Sequence, residues 1–234
     1  MLIKIISLNL SFLFLTVISA NAGETGAIMT IDNIHWLGHD TFKITGEKTV
    51  YTDPFKIKKR DHADIILITH EHYDHCSVND IKKLQGSGTT IVAPPDCADK
   101  LSGNIRTVKP GDKLTVDGME IEVVPSYNTD KQFHTRDRNW VGYIFIVNGR
   151  RIYLAGDTDH IPEMKTFKNI DIALLPVSGT YVMNADEAVK AALDINPKVA
   201  VPMHYNSIVG TEKDAGRFAE GLKGKIEVKI LKEE

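Results

Sequence analysis

Residues 70 to 75 read His-Glu-His-Tyr-Asp-His and follow the apolar run Ile65-Ile66-Leu67-Ile68. Four potential metal ligands within six residues, placed where a strand should end, are hard to explain as packing. His70 and His72 alternate, so an extended exit points both imidazoles to one side. Asp74 and His75 are adjacent and need a bend to reach a second point. The spacing therefore predicts two metal sites served by one loop. Imidazole and carboxylate donors suit zinc best, with manganese or iron as alternatives, and fit calcium or magnesium poorly.

Two later segments extend the pattern. Ala155-Gly156-Asp157-Thr158 follows the apolar Ile152-Tyr153-Leu154, and Pro202-Met203-His204-Tyr205 follows Val199-Ala200-Val201. With His-x-His-x-Asp-His at 70–75, and in this order, they resemble the metallo-β-lactamase superfamily of binuclear hydrolases. Gly38-His39-Asp40-Thr41-Phe42 and Thr52-Asp53-Pro54-Phe55 narrow the resemblance to a branch. That branch includes the bacterial L-ascorbate phosphate lactonase and many metal-dependent hydrolases. The resemblance covers the chain from about Ile34 onward. It implies an α/β fold, an αββα sandwich of two mixed sheets with outer helices. It also implies that His70, His72 and a third ligand hold one divalent ion, that Asp74, His75 and His204 hold the other, and that Asp157 bridges them. A hydroxide held between the cations would be the nucleophile, because coordination lowers the pKa of water from about 16 to about 7. Asp74 and Asp157 then belong to the catalytic apparatus as well as to the ligand set.

The third ligand of the first metal departs from the best-known patterns. The strand exit Val124-Pro125-Ser126-Tyr127-Asn128 carries Asn128 where many relatives have histidine, and His134 lies six residues on. An imidazole is the better zinc ligand, so His134 is favoured, with Asn128 as an orienting group. His134 could instead belong to a substrate lid, since 127–140 is long and charged. His39 is expected near the metals without ligating them. Asp53 either fixes the tautomer of a ligating imidazole or is simply a turn residue. By residue type His160 is a candidate proton donor to the leaving group. Tyr181, Met183, Phe133 and Trp140 could wall a substrate pocket.

The remaining composition sets bounds. The 234 residues suit one large α/β domain. A net charge of −3 gives no basis for nucleic acid as a partner, and a small-molecule substrate is the expectation. A homo-oligomer is allowed by the composition. Lys4 followed by an apolar run to Ile18 and then Ala20-Asn21-Ala22 reads as a secretory signal peptide over 1–22, with the hydrolase domain at 23–234. That places the protein in the periplasm or outside the cell, with no stable membrane span after processing. Should Met29 be the true start, the location is cytoplasmic. The two cysteines, Cys76 and Cys97, form no framework, though one bond between them is allowed.

Local patterns predict the elements. Short runs at 34–37, 41–44 and 49–52 open a sheet antiparallel, and 64–69 and 89–93 are buried strands. Helices are expected over 77–85, 184–194 and 211–222, each behind a capping residue. Asp117-Gly118 and Asn148-Gly149 mark hairpins, and 171–175, 199–201 and 226–230 complete the strands.

These readings favour a metal-dependent hydrolase of a small-molecule ester, lactone, amide or phosphoester. β-Lactam hydrolysis is a poor prospect, because the later loop offers Asp157 in place of a cysteine. An iron-binding redox protein is the competing class, and a non-catalytic metal-binding module the third.

Overall fold

A computed structural model describes residues 30–234. The signal-peptide reading of 1–22 lies outside the described residues. The first sheet runs in chain order: β1 (Ile34–Trp36), β2 (Phe42–Ile44), β3 (Val50–Thr52), β4 (Ile65–Leu67), β5 (Thr90–Ala93) and β6 (Asn104–Thr107). Helix α1 (Val78–Leu84) joins β4 to β5, and the single turn α2 (Pro95–Ala98) joins β5 to β6. The second sheet holds β7 (Lys113–Val116), β8 (Met119–Pro125), β9 (Val141–Val147), β10 (Arg150–Leu154) and β11 (Ile172–Pro176). It continues through α3 (Ala185–Ile195), β12 (Val199–Met203), α4 (Glu212–Leu222) and β13 (Glu227–Val228). Both sheets begin antiparallel and end parallel, the change falling at β3/β4 in one and β10/β11 in the other.

Strand alternation explains the layering. Ile65 and Leu67 face the core between the sheets, where they meet residues such as Tyr143 and Phe145. Their neighbours Ile66 and Ile68 face the opposite side, with Ile81 and Leu84 of α1. A strand buried on both faces must be apolar at every position, which is why 65–68 reads as a continuous run. Helix α1 starts at the Oγ of Ser77, which accepts the Asp80 N–H. α3 starts at an Asn184–Glu187 capping box.

The expected hairpins turn at Asp117-Gly118 and Asn148-Gly149, all four residues with positive φ. The last strand is shorter than expected, Glu227–Val228, because it pairs only with Val199 and Ala200 of β12. β6 was not expected: its residues are largely exposed, so it carries no hydrophobic pattern.

The sheets are also tied by polar contact at the rim that bears the ligand loops. Buried Tyr143, on β9, donates its hydroxyl to the carbonyl of Ile68, 2.7 Å away, just before His70. Tyr143→Phe leaves that carbonyl without its side-chain donor in a dry site. A loss of about 1–3 kcal/mol in denaturant unfolding is expected.

Candidate metal centre

The ligand candidates come together at one rim, on the loops that leave β4, β8, β10 and β12. One group of side chains is His70, His72, His134 and Asp157; a second is Asp40, His75, Asp157 and His204; a third is His39, Asp74, His75 and His204. Within each group one ligand atom per residue lies within 4.8 Å of the others. Asp157 belongs to the first two groups. Its Oδ2 is 3.1 Å from His134 Nε2, 3.3 Å from His204 Nε2 and 3.8 Å from His70 Nε2, while Oδ1 is 3.5 Å from His75 Nε2. The backbone sets it there. Gly156, at φ +64°, turns the chain after β10 so tightly that a Cβ would sit 3.0 Å from Thr69.

Outer partners aim the imidazoles. Asp53 Oδ2 accepts from His75 Nδ1 at 3.0 Å and from the Thr69 hydroxyl at 2.7 Å. With its proton given to Asp53, the Thr69 oxygen accepts from His70 Nδ1, 3.0 Å away. Asn128 Oδ1 lies 3.1 Å from His134 Nδ1 and also accepts the His134 backbone N–H, while its amide donates to the Tyr181 carbonyl. Ser178 Oγ is 2.9 Å from His204 Nδ1. Four rings are thus held by Nδ1 and turn Nε2 inward, the arrangement that outer hydrogen bonds impose on metal-binding histidines. His72 differs, with Nδ1 3.0 Å from His70 Nε2. Asn128 and Asp53 stand behind ligand candidates, as their residue types suggested.

The donor set fits a divalent cation. His75 Nε2, His134 Nε2, Asp157 Oδ1 and both Asp40 oxygens are buried with no hydrogen-bond partner among the described residues. So many orphaned polar atoms aimed into one space would be costly in a native fold unless a ligand satisfied them. Imidazole and carboxylate donors in this number suit zinc, manganese or iron.

Asp40 was not foreseen as part of the centre, whereas His39 was expected near it. The fully buried Asp40 lies 3.6 Å from His75 Nδ1, and His39 Nε2 lies 3.0 Å from Asp74 Oδ2. The Gly38-His39-Asp40 turn sets two ligand-type residues after a glycine, but nothing in its spacing ties Asp40 to His75.

Other expectations need revision. His160 turns away: its Nε2 lies 2.7 Å from Asp194 Oδ2 at the end of α3, and it joins none of the three groups. Met183 is fully buried in the core, so it does not line a pocket. Trp140 packs its ring 4.8–5.5 Å from those of His70, His72 and His134 and donates to Asp96, bracing these ligand candidates instead of facing solvent. Cys76 and Cys97 are both free and buried, and neither joins the groups. The 127–140 loop is pinned by Lys131–Asp159, Arg136–Glu163 and Arg138–Glu71 ion pairs, with His134 buried inside it.

Charge follows this geometry. Burial works against ionisation of Asp157, yet His204, His75 and the His134 contact hold its carboxyl well below the usual range. Burial opposes charge on His204 too, but Asp157 and Asp40 lift it to about 9. His75 is raised against burial by Asp157, Asp53 and Asp40. Burial, with His75 next, pushes His70 well down.

A group whose pKa is raised on folding stabilises the fold below its unfolded value and loses that contribution as pH climbs through the folded one. Metal-free protein should therefore lose stability from about pH 6.5 toward about 9, as followed by melting temperature. A cation must displace the same protons. Metal uptake at pH 7 should release protons from His75 and His204, seen as a buffer-dependent enthalpy in calorimetry.

Two mixed sheets with outer helices and a His/Asp rim define the metallo-β-lactamase fold. The β-lactamase superfamily domain matches residues 33–204. A UPF0173 metal-dependent hydrolase of Thermoplasma volcanium is 36% identical over 198 residues, covering 79% of this chain and 88% of the relative. One of Thermococcus onnurineus is 35% identical over 215 residues, covering 85% and 96%. The crystal structure of a protein assigned as a metal-dependent hydrolase, from Parabacteroides distasonis, superposes with a TM-score of 0.75 at 38% identity, covering 85% of this chain and 93% of that one. The chain belongs to the β-lactamase superfamily and, within it, to the UPF0173 metal-dependent hydrolases.

Proposed function

We propose that this chain hydrolyses a small-molecule ester, lactone, amide or phosphoester at a binuclear centre. The observation that carries the reading is Asp157, a buried carboxylate common to two groups of ligand atoms. His70, His72 and His134 would hold one cation, and Asp74, His75 and His204 the other, with Asp157 between them. Zinc is the first expectation. Divalent cations supply there the activation of water at neutral pH and the polarisation of the bond to be cleaved.

The chain's own residues do the positioning. Asp53, Thr69, Asn128 and Ser178 fix the ring orientations. Trp140 and the buried wall behind it keep bulk water from one side of the imidazoles. Tyr73 and Phe133, next in sequence to ligand candidates, are exposed and stack edge-on with Phe55 and Tyr181 respectively. They offer apolar edges to a substrate at the mouth.

A count of metal per chain, followed by turnover of neutral ester, lactone and phosphodiester substrates beside nitrocefin, tests this reading. Two metals with hydrolysis of at least one class outside β-lactams are expected. One metal per chain at full activity, or nitrocefin as the best substrate, would sink it. Asp53→Asn keeps the volume but exchanges a carboxylate acceptor for an amide behind His75. A fall of about 10–100-fold in affinity for the second metal is expected in a chelator competition.

A further inference from the structure

Beside the centre, on the His39 side, lies a cavity of about 190 Å³ lined by His39, Phe55, Lys56, Asn206 and Ser207 among others. One exposed residue of its lining is unusual in backbone conformation. Ten described non-glycine residues have positive φ; nine are Asp, Asn or His, and the tenth is Lys56 at φ +53°. Short polar side chains can ease that conformation by local hydrogen bonds, whereas lysine gains nothing from it. Asn206, across the cavity, is also left-handed at +59°.

Lys56 is held in this state by its surroundings. The buried Asp80 carboxylate accepts both the Lys56 and Ile57 N–H groups, at 3.0 and 3.1 Å. Asp80 is itself gripped by the Ser77 hydroxyl and by Lys83. Strain of this kind persists where surrounding structure over-determines it, and it concentrates at binding sites. The side chain it aims is underused. Lys56 Nζ reaches the Ser207 hydroxyl at 3.2 Å and lies 4.9 Å from the Phe55 ring centroid, and no carboxylate pairs with it among the described residues. The nearby Lys58 differs: it pairs with Glu233 at 3.3 Å and the Glu234 carbonyl at 2.8 Å. Glu233, which also lines the cavity, is thereby neutralised, and Lys56 is left as its net charge.

We propose that Lys56, with Ser207 and Asn206, forms a subsite for an anionic oxygen group on the substrate. The ammonium and the Ser207 hydroxyl match the donors that a carboxylate or phosphoryl group takes up, and the Asn206 amide, which gives one N–H to Glu212 Oε1 at 3.2 Å, has a second to offer. The substrate would then carry its scissile bond at the metals and its anion here. This specificity rests on the hydrolytic reading above, since it assigns the second contact of that same substrate.

The test measures binding to metal-loaded protein, so it does not depend on turnover. Dicarboxylates of three to six carbons are compared with monocarboxylates of equal length, and ω-phosphonocarboxylates form a parallel series. At one length or more, the second anion should tighten binding about tenfold in the wild type. In Lys56→Met that gain should fall below about twofold with metal content unchanged, while Lys56→Arg keeps it. Methionine and arginine both carry a Cβ, so neither alters the backbone strain. Whichever series shows the gain identifies carboxylate or phosphoryl as the group. No gain at any length, or a gain that survives in Lys56→Met, overturns the subsite. Failure of wild-type protein to hydrolyse any neutral ester, by contrast, would count against the hydrolase reading and leave this comparison intact.

Discussion

Asp157→Ala is expected to reduce metal content toward one ion per chain and to lower hydrolysis by about a thousandfold or more, about 4 kcal/mol of lost transition-state stabilisation. The carboxylate stands within 3.1–3.5 Å of His134, His204 and His75. In the proposed binuclear centre, removing it would take a negative charge from between two cations and leave their repulsion uncompensated. The effect on folding should be smaller. Asp157 helps hold His75 and His204 protonated; without it burial dominates, and the rings can shed protons instead of remaining as buried charge. Metal analysis and single-substrate kinetics, with a melting curve as control, separate the two effects. Full binuclear occupancy with normal turnover would remove Asp157 from its bridging role. Asp74→Asn should be milder, weakening only the second metal, because Asp74 belongs to the third group and not to the first.

How much of this was legible depended on whether chemistry was carried locally or assembled from afar. The 70–75 motif is local, so the direction of His70 and His72 followed from strand alternation alone. β4, α1 and the capped α3 and α4 were legible for the same reason, since their signals lie within a few residues. β6 was not, because an exposed edge strand has no pattern to show. Asp40 stayed hidden for a different cause. Its proximity to His75 arises from a 35-residue separation closed by the β1–β2 turn, which no spacing rule encodes. His160 misled in the opposite way. Three residues from Asp157 in sequence, it is carried off the rim toward Asp194. Lys56 carried no sequence signal at all: a lysine in a charged run reads as solvated surface, and only its backbone angle sets it apart.

The Asn128–His134 pair gives the most exacting test of the first metal. His134 Nε2 lies 3.1 Å from Asp157 Oδ2, off the line of a hydrogen bond, and is buried without another partner among the described residues. A cation held by three protein ligands with an open position fits catalytic zinc, whereas His70 and His72 alone would hold it weakly. His134→Ala should therefore cost at least about a hundredfold in affinity at that site, with activity falling in step. Asn128→Ala removes the acceptor that fixes His134 Nδ1 and the backbone N–H beside it, but leaves the ring itself. It should release the metal less readily, by about tenfold, while slowing turnover through a mobile imidazole. Chelator resistance measured on both variants, at equal starting occupancy, distinguishes ligand from orienter. A lid residue would behave otherwise: His134→Ala would keep both metals and raise only KM. The loop's three ion pairs, with His134 at 1% exposure inside them, argue for the ligand.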